Sequence, residues 1–364
     1  MKFELDEIVI EELERESALA RHVAEHAPTF ARISFVSDGR VASMPDLQTS
    51  DPFAAGKRRM VVMRRRSPFL MACPAGSAQF ACCGLQVLVL ASNCPMDCSY
   101  CFLQEYVADN PAFQVYSNYA DAFDEIDRVR ASAPGRLFRI GTGELADSLA
   151  FDSITGMSRE LVEYFAAREN LNLELKTKTD EIETLLTLDP RDRVLVSWTL
   201  SPEAVYRTSE HRTAPPRARL AAARRVLEAG YRVAFHFDPI IAYEGADRDY
   251  QEMIEDMFDA IPPERIAFVS MGGLRMTPAL RAAARRRHPN DPMLLGEEVP
   301  AADGRMRSFA PLRIGLYRTI AERIRSRGVE VPAYLCMEAA SVHQRVFGEA
   351  PASVAELNQR LAIR

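Results

Sequence analysis

The residues best suited to chemistry are three closely spaced cysteines, Cys94, Cys98 and Cys101, in the order Cys-x3-Cys-x2-Cys. They directly follow an apolar run over residues 84–91, which places them on one tight loop. Thiolates on such a loop can converge on one metal centre, and soft sulfur ligands select iron–sulfur clusters, zinc or copper(I). A closed structural site normally takes four ligands. Three ligands leave one metal position open for a small molecule.

The cysteine spacing alone leaves two interpretations open. In the first, the three thiolates hold an iron–sulfur cluster with one open iron. In the second, a fourth thiolate from Cys73, Cys82 or Cys83 completes a zinc knuckle. Cys82 and Cys83 precede the first strand of the sheet predicted below, so we expect them at the opposite end from the site, in a structural role.

The composition is that of an ordinary soluble globular protein, with 364 residues, 48% hydrophobic and 26% charged. The first residues are acidic and lack the basic and apolar regions of a signal peptide. No apolar run approaches the ~20 residues of a membrane span. Seven cysteines in an unexported chain argue against a disulfide scaffold. These features predict a cytoplasmic enzyme with a reduced metal site and no membrane association.

The charge pattern says little about nucleic acid, because the net charge of −6 gives no global attraction to phosphates. Three basic runs, at residues 57–59, 64–66 and 285–287, are candidates for local phosphate contacts. Solvated surface charge is the alternative interpretation, and the one we favour for any single run.

The elements that must position the cysteines alternate between strand and helix from residue 84 onward. Predicted strands cover residues 85–90, 137–140, 171–175, 194–198, 232–237 and 266–270, with a last strand within 331–338. Strict alternation predicts a parallel sheet, open or curled towards a barrel. Residues 1–83 are predicted to form an N-terminal region, with a helix over 11–25, residues 84–340 the barrel, and residues 341–364 a C-terminal tail or helix.

Ligands in such folds bind at the carboxyl ends of the strands. Glycines there let the backbone approach a ligand, and charged or hydroxyl side chains bind its polar groups. Strand alternation is expected to turn one of the two lysines at the third strand outward. His236 and Asp238 are either a ligand-binding pair or a core hydrogen bond. The strand-end residues are Gly141, Gly143, Glu144, Lys176, Lys178, Ser197, His236 and Asp238.

The cysteine loop, with Tyr100 before its third cysteine, resembles that of radical S-adenosylmethionine (SAM) enzymes. The resemblance to the spore photoproduct lyase family is closer and covers roughly residues 85 to 340. It is carried by Asn93-Cys94-Pro95-x-x-Cys98-x-Tyr100-Cys101-x-Leu103-Gln104, Thr177-Lys178, Val196-Ser197, the helix end at residues 220–231, Pro239-Ile240 and Glu244-Gly245.

This resemblance implies a partial (β/α)6 barrel with a small N-terminal α/β extension, and a [4Fe-4S] cluster held by the three loop cysteines. It further implies SAM bound at the fourth iron and cleaved to a 5′-deoxyadenosyl radical. The substrate would be a UV-induced thymine lesion in DNA, and the reductant an electron donor such as flavodoxin or ferredoxin. The implied SAM contacts are Gly141, Gly143, Glu144, Lys178 and Ser197.

The chain departs from the family pattern at two positions. The lyases carry a hydrogen-donor cysteine just after the second strand, whereas residues 139–145 here contain none. They also have a tyrosine after the third cluster cysteine, where this chain has Phe102. Tyr100 is retained as a catalytic candidate. We hypothesise that Cys336 donates the hydrogen instead; the alternative, which we favour, is a small buried hydrophobic residue.

Three functions are therefore carried forward. The first is a radical SAM enzyme acting on a nucleic-acid photolesion or a related pyrimidine. The second is a radical SAM enzyme that modifies RNA, a peptide or a small molecule, which the missing donor cysteine keeps open. The third is a non-catalytic, metal-stabilised nucleic-acid-binding protein that uses the basic runs.

Overall fold

The computed structural model describes residues 3–42, 49–73, 80–328 and 330–361. Its strands are β1 (Glu7–Glu11), β2 (Arg32–Val36), β3 (Arg59–Met63), β4 (Leu70–Ala72), β5 (Gln86–Leu88), β6 (Ala91–Ser92), β7 (Asp97–Cys98), β8 (Phe113–Tyr116), β9 (Phe138–Gly141), β10 (Leu171–Thr177), β11 (Val194–Thr199), β12 (Glu210–His211), β13 (Arg232–Ile240), β14 (Ile266–Gly273), β15 (Arg275–Met276), β16 (Val299–Pro300), β17 (Met306–Arg307) and β18 (Ala333–Leu335).

Its α-helices are α1 (Ala18–His26), α2 (Gly39–Ala42), α3 (Pro52–Gly56), α4 (Leu103–Tyr106), α5 (Tyr119–Ser132), α6 (Asp152–Thr155), α7 (Met157–Ala166), α8 (Glu203–Ser209), α9 (Pro216–Glu228), α10 (Ala246–Ala260), α11 (Pro278–Arg287), α12 (Ala310–Arg325), α13 (Ala340–Phe347) and α14 (Val354–Leu361). Short 3-10 helices cover Glu12–Glu14, Leu185–Thr187, Pro263–Arg265 and Pro292–Leu294. No helix in the described ranges is long and apolar enough to cross a membrane.

The main sheet has the strand order β18-β14-β13-β11-β10-β9-β5-β4. All its neighbours from β5 to β18 pair in parallel and follow chain order, and β4 adds an antiparallel edge. Leu85 beside β5 and Cys336 beside β18 line the same cavity although many strands separate them, so the sheet is curled. The predicted partial barrel is confirmed.

A second sheet, in the order β2-β1-β3-β8-β6, carries the N-terminal α/β extension. Its first three strands come from the N-terminal region, and β8 and β6 come from the chain around the cysteine loop. The two regions therefore share a sheet on both sides of residue 84. Buried apolar residues of both sheets form one continuous core.

The predicted helix over residues 11–25 is partly wrong. Glu7–Glu11 forms a strand, and the helix starts only after Ser17, whose side-chain oxygen accepts from the Ala20 amide at 3.2 Å. Leu13, an apolar residue within the predicted helix, is 84% exposed. By contrast, α9 ends within the helix-end segment 220–231 that the sequence indicates. Gly230 follows the helix with a φ of +95°, a left-handed conformation that glycine adopts without a steric penalty.

The cysteine loop is shaped by a buried asparagine and by a strand pair. Asn93 has a positive φ of 68°, its Oδ1 accepts from the Cys94 amide at 2.8 Å, and its Nδ2 donates to the Pro111 carbonyl. The loop's own β7 pairs antiparallel with β12, which places Cys98 opposite Glu210. Hydrogen bonds of the protein itself therefore fix the loop at Asn93 and at β7, independently of a metal.

Candidate active site

The loop cysteines follow the carboxyl end of β5, the first parallel strand of the barrel. Cys98 is buried, and Cys94 and Cys101 are half-buried. Burial raises the pKa of Cys94 to about 12 and raises the pKa of Cys98 further. The three thiols lie close enough for their charges to contribute to these shifts. Metal ligation requires thiolates, so loading a metal here must release protons.

The donor set fits a cluster better than a single ion. In the described part of the chain, no three or more His, Cys, Asp or Glu side chains are placed to hold one metal ion. A four-iron cluster binds each thiolate through a different iron, so its ligands stand farther apart than those of one zinc. Cys73 and Cys83, candidates for the fourth zinc ligand, line the barrel cavity instead. The third candidate, Cys82, accepts a hydrogen bond from the Gly84 amide through its sulfur at 3.4 Å. The placement of these three cysteines leaves the zinc alternative without support.

Arg287 clamps the loop from outside. Its guanidinium donates to Asp97 at 2.9 Å, to the Gln104 Oε1 at 2.7 Å and to Asp51 at 2.9 Å. Lys57, on the same side, donates to loop carbonyls. Both belong to basic runs that the sequence had offered as phosphate contacts. For these two residues that interpretation is wrong, because both are committed to the loop.

The other two residues of the first basic run and the outer two of the second are also paired within the chain. Arg58 pairs with Asp6, Arg59 with Glu7, Arg64 with Asp121 and Arg66 with Glu11. Arg65 donates to the Pro68 carbonyl. These partners reduce the charge that the N-terminal runs offer to DNA.

Tyr100 enters a buried network that local sequence did not reveal. Its hydroxyl donates to the Glu210 Oε1 at 2.5 Å, and Arg219 donates to the Glu210 Oε2 at 2.5 Å. Burial would raise the pKa of Glu210, but Arg219 and Lys178 lower it to about 2. Burial and this carboxylate together raise the pKa of Tyr100 well above its usual value. Tyr100 is therefore anchored as a protonated phenol beside the loop cysteines.

Gly141, Gly143 and Glu144 lie at the carboxyl end of β9, as predicted. A Cβ on Gly143 would lie 2.5 Å from the Lys176 Cβ and 2.9 Å from its carbonyl oxygen, so the strand ends require a glycine there. Glu144 pairs with the Lys176 Nζ at 3.4 Å. All four residues line one cavity of about 50 Å³ at the barrel interior.

The two lysines of the third strand point the same way, so the expectation that one faces outward is wrong. Residues two apart on a strand share a face. Lys176 faces the cavity, and the Lys178 Nζ lies 5.6 Å from the centre of the Tyr100 ring, next to the cysteine loop. Lys178 is thus close to both the loop cysteines and the strand ends.

Ser197 is fully buried and donates to the Glu174 Oε1 at 2.8 Å. The His236 Nε2 bonds the same oxygen at 2.7 Å. Burial would raise the pKa of Glu174, but His236, Arg139 and Ser197 lower it to about 2. The structure therefore places Ser197 in a buried hydrogen-bond network with Glu174 and His236. Its contact with SAM stays a prediction.

Asp238 does not pair with His236 but with Arg275, at 2.9 Å. Both side chains of the predicted pair line the cavity, each with its own partner. The predicted alternative of a core hydrogen bond between His236 and Asp238 is therefore wrong, because His236 bonds Glu174 and Asp238 bonds Arg275.

Cys336 lines the same cavity as Gly141, Gly143 and Glu144. Burial raises its pKa well above the usual value, which keeps the sulfur as a thiol. Cys83 also lines this cavity and accepts from the Arg139 guanidinium through its carbonyl at 3.2 Å. The expectation that Cys83 lies at the opposite end from the site is wrong.

Comparison with known proteins assigns the family. A family model described as spore photoproduct lyase matches residues 8–300. The chain belongs to the spore photoproduct lyase family. It is a radical SAM enzyme, and its cofactors are a [4Fe-4S] cluster and SAM.

Two relatives in this family show how distant the similarity is. The spore photoproduct lyase of Clostridium acetobutylicum is 22% identical over 272 residues, which cover 74% of this chain and 78% of that protein. The spore photoproduct lyase of Bacillus subtilis is 24% identical over 229 residues, which cover 63% of this chain and 65% of that protein.

Solved structures share the fold at low identity. Spore photoproduct lyase complexed with dinucleoside spore photoproduct superposes with a TM-score of 0.82 at 20% identity, covering 92% of this chain and 100% of that one. A variant with bound AdoMet and dinucleoside spore photoproduct gives 0.81 at 20% identity, covering 92% and 99%. The barrel and the N-terminal extension therefore belong to one shared fold.

Proposed function

We propose that this protein repairs a thymine photoproduct in UV-damaged DNA. Membership of the spore photoproduct lyase family supports the reaction class. The single observation that carries the proposal for this chain is the shared cavity, which Cys336 lines together with Gly141, Gly143 and Glu144. A lesion base must leave the helix stack to reach a barrel mouth, and damaged bases cost less to flip.

The loop cysteines and the strand-end residues offer the groups that a cluster and SAM would need. When bound, the cluster and SAM supply a 5′-deoxyadenosyl radical that removes a hydrogen atom from carbon. Cys94, Cys98 and Cys101 would hold the cluster. Glu144 and Lys178 offer opposite charges for the ammonium and carboxylate groups of SAM, and Gly141 and Gly143 leave backbone exposed to it.

Cys336 is our candidate for the hydrogen return. Its raised pKa keeps the S–H bond intact, and only the thiol can give a hydrogen atom. The S–H bond breaks as a new C–H bond forms on the thymine radical, which leaves a thiyl radical on Cys336. One electron from the reductant and one proton from solvent restore the thiol. We propose a low-potential protein such as flavodoxin or ferredoxin as that reductant.

Tyr100 acts in this proposal by anchoring the loop, since its hydroxyl is already donated to Glu210. Phe102 has no hydroxyl to donate. The two aromatic residues of the loop thus supply no hydrogen-atom relay equivalent to that of the lyases, which gives Cys336 the central role.

The test uses anaerobically reconstituted protein, SAM, dithionite and UV-irradiated DNA in deuterated water. We expect release of 5′-deoxyadenosine, loss of lesion and one deuterium per repaired lesion, carried by one of its two restored thymines, because a thiol exchanges its hydrogen with solvent. Release of 5′-deoxyadenosine without lesion loss would contradict DNA repair. It would favour a radical SAM enzyme acting on another substrate, a function that the absent donor cysteine at residues 139–145 also supports.

A further inference from the structure

Lys57 is a fully buried ammonium with no carboxylate partner in the described ranges. Its Nζ donates to the Cys94 carbonyl at 2.8 Å and to the Met96 carbonyl at 2.5 Å. The same atom lies 4.4 Å from the centre of the Phe53 ring. Burying a charge without an opposite charge is costly. The fold therefore keeps a positive charge beside the cysteine loop at the expense of its own stability.

The cations next to Lys57 all have carboxylate partners. Arg58 and Arg59 directly follow Lys57 and pair with Asp6 and Glu7. Arg287, which lies against the same Phe53 ring at 4.8 Å, is paired with two aspartates. Of these four cations, only Lys57 lacks a carboxylate partner among the described residues.

We propose that Lys57 is the counter-charge of the iron–sulfur cluster and raises its reduction potential. Three thiolate ligands bring three negative charges to the loop, and reduction of the cluster adds one more. A fixed positive charge in a poorly solvated site stabilises the more negative, reduced state over the oxidised state. The inference rests on the cluster alone, so it holds whatever the lesion is.

The proposal predicts opposite effects of one substitution in the two forms of the protein. Without the cluster, Lys57→Met removes an uncompensated charge, so the melting temperature should rise or stay level. With the cluster, the same change removes the counter-charge, so the potential should fall. Lys57→Gln retains amide donors for the loop carbonyls and removes only the charge. Arg59→Met is the matched control, since Arg59 pairs with Glu7 and is 34% exposed.

The experiment is a redox titration of anaerobically reconstituted protein, followed by the electron paramagnetic resonance of the reduced cluster. In both Lys57 variants we expect the reduced-to-oxidised ratio at a fixed potential to fall at least tenfold, a shift of about 59 mV to lower potential. The Arg59→Met protein should match the wild type. An unchanged potential in fully loaded Lys57→Gln protein would overturn the proposal.

The cluster-free proteins provide a second readout that needs no loading. If neither Lys57 variant takes up iron, their thermal unfolding decides the question. Cluster-free Lys57→Met protein at least as stable as the wild type supports an uncompensated charge. A clear loss of stability in both variants would show that Lys57 is a structural strut for the loop, and would also overturn the proposal.

Discussion

Replacing Arg219 by methionine tests how the cysteine loop is held. Arg219 is 0% exposed and donates to Glu210, to Thr213 and to the Ala214 and Thr199 carbonyls. Removing one partner of a buried ion pair costs about 3–5 kcal/mol, because the other charge stays buried. The fall in the pKa of Glu210 from 4.5 to about 2 corresponds to about 3 kcal/mol at 1.36 kcal/mol per pKa step. This is the net effect of burial, which raises the pKa, and of Arg219, Lys178 and Tyr100, which lower it.

The pH dependence follows from the direction of that shift. The pKa of Glu210 is lower in the folded protein than in the unfolded chain, so the pair stabilises the fold fully above about pH 4.5. This contribution is lost as the pH falls towards about 2. The stability difference between wild type and Arg219→Met should therefore be largest near neutral pH and should narrow in acid.

The assay is urea unfolding of the cluster-free protein at neutral and acidic pH. Arg225→Met is the control on the same helix: Arg225 is exposed and pairs with Glu183 at the surface, so little change is expected. The double variant Glu210→Gln/Arg219→Met should be more stable than Arg219→Met alone, because no charge is left unpaired. Equal stability of Arg219→Met and Arg225→Met, or no recovery in the double variant, would refute the reasoning.

Two further substitutions test the barrel cavity. Cys336→Ala should leave 5′-deoxyadenosine release unchanged and abolish deuterium transfer to thymine, measured by mass spectrometry; undiminished transfer would exclude Cys336 as the donor. Gly143→Ala should destabilise the protein by about 1–3 kcal/mol, since its Cβ would overlap Lys176, and should weaken SAM binding measured by calorimetry. Gly296→Ala is its control, because a Cβ there meets nothing within 4 Å and the residue does not have a positive φ; equal losses would argue against the packing explanation.

The sequence predicted those features that depend on local pattern. The cysteine spacing points to Cys94, Cys98 and Cys101 as the proposed cluster ligands, and the alternation of strands and helices predicts the barrel, because both patterns lie in contiguous residues. The order of the strands then placed Gly141, Gly143 and Glu144 at one end of the sheet. None of these predictions depends on contacts between side chains that are distant in the sequence.

Contacts between distant segments could not be predicted in the same way. Tyr100 meets Glu210 across 110 residues, and Lys57 meets Cys94 across 37. The sequence around Lys57 does not indicate that its side chain is buried. Lys57 is the first residue of a basic run, and the next two residues, Arg58 and Arg59, pair with carboxylates near the surface. Cys83 was misplaced for a related reason: the chain before β5 reaches the barrel cavity, which its position in the sequence does not show.

The most direct test of the central claim follows a dinucleoside spore photoproduct with reduced, cluster-loaded protein and SAM. We predict that the photoproduct is converted to two intact thymidines by the wild type and remains unchanged with Cys98→Ala. Cleavage of SAM by the wild type with no loss of photoproduct would contradict the proposed function. Photoproduct loss that persists in Cys98→Ala would contradict the cluster assignment.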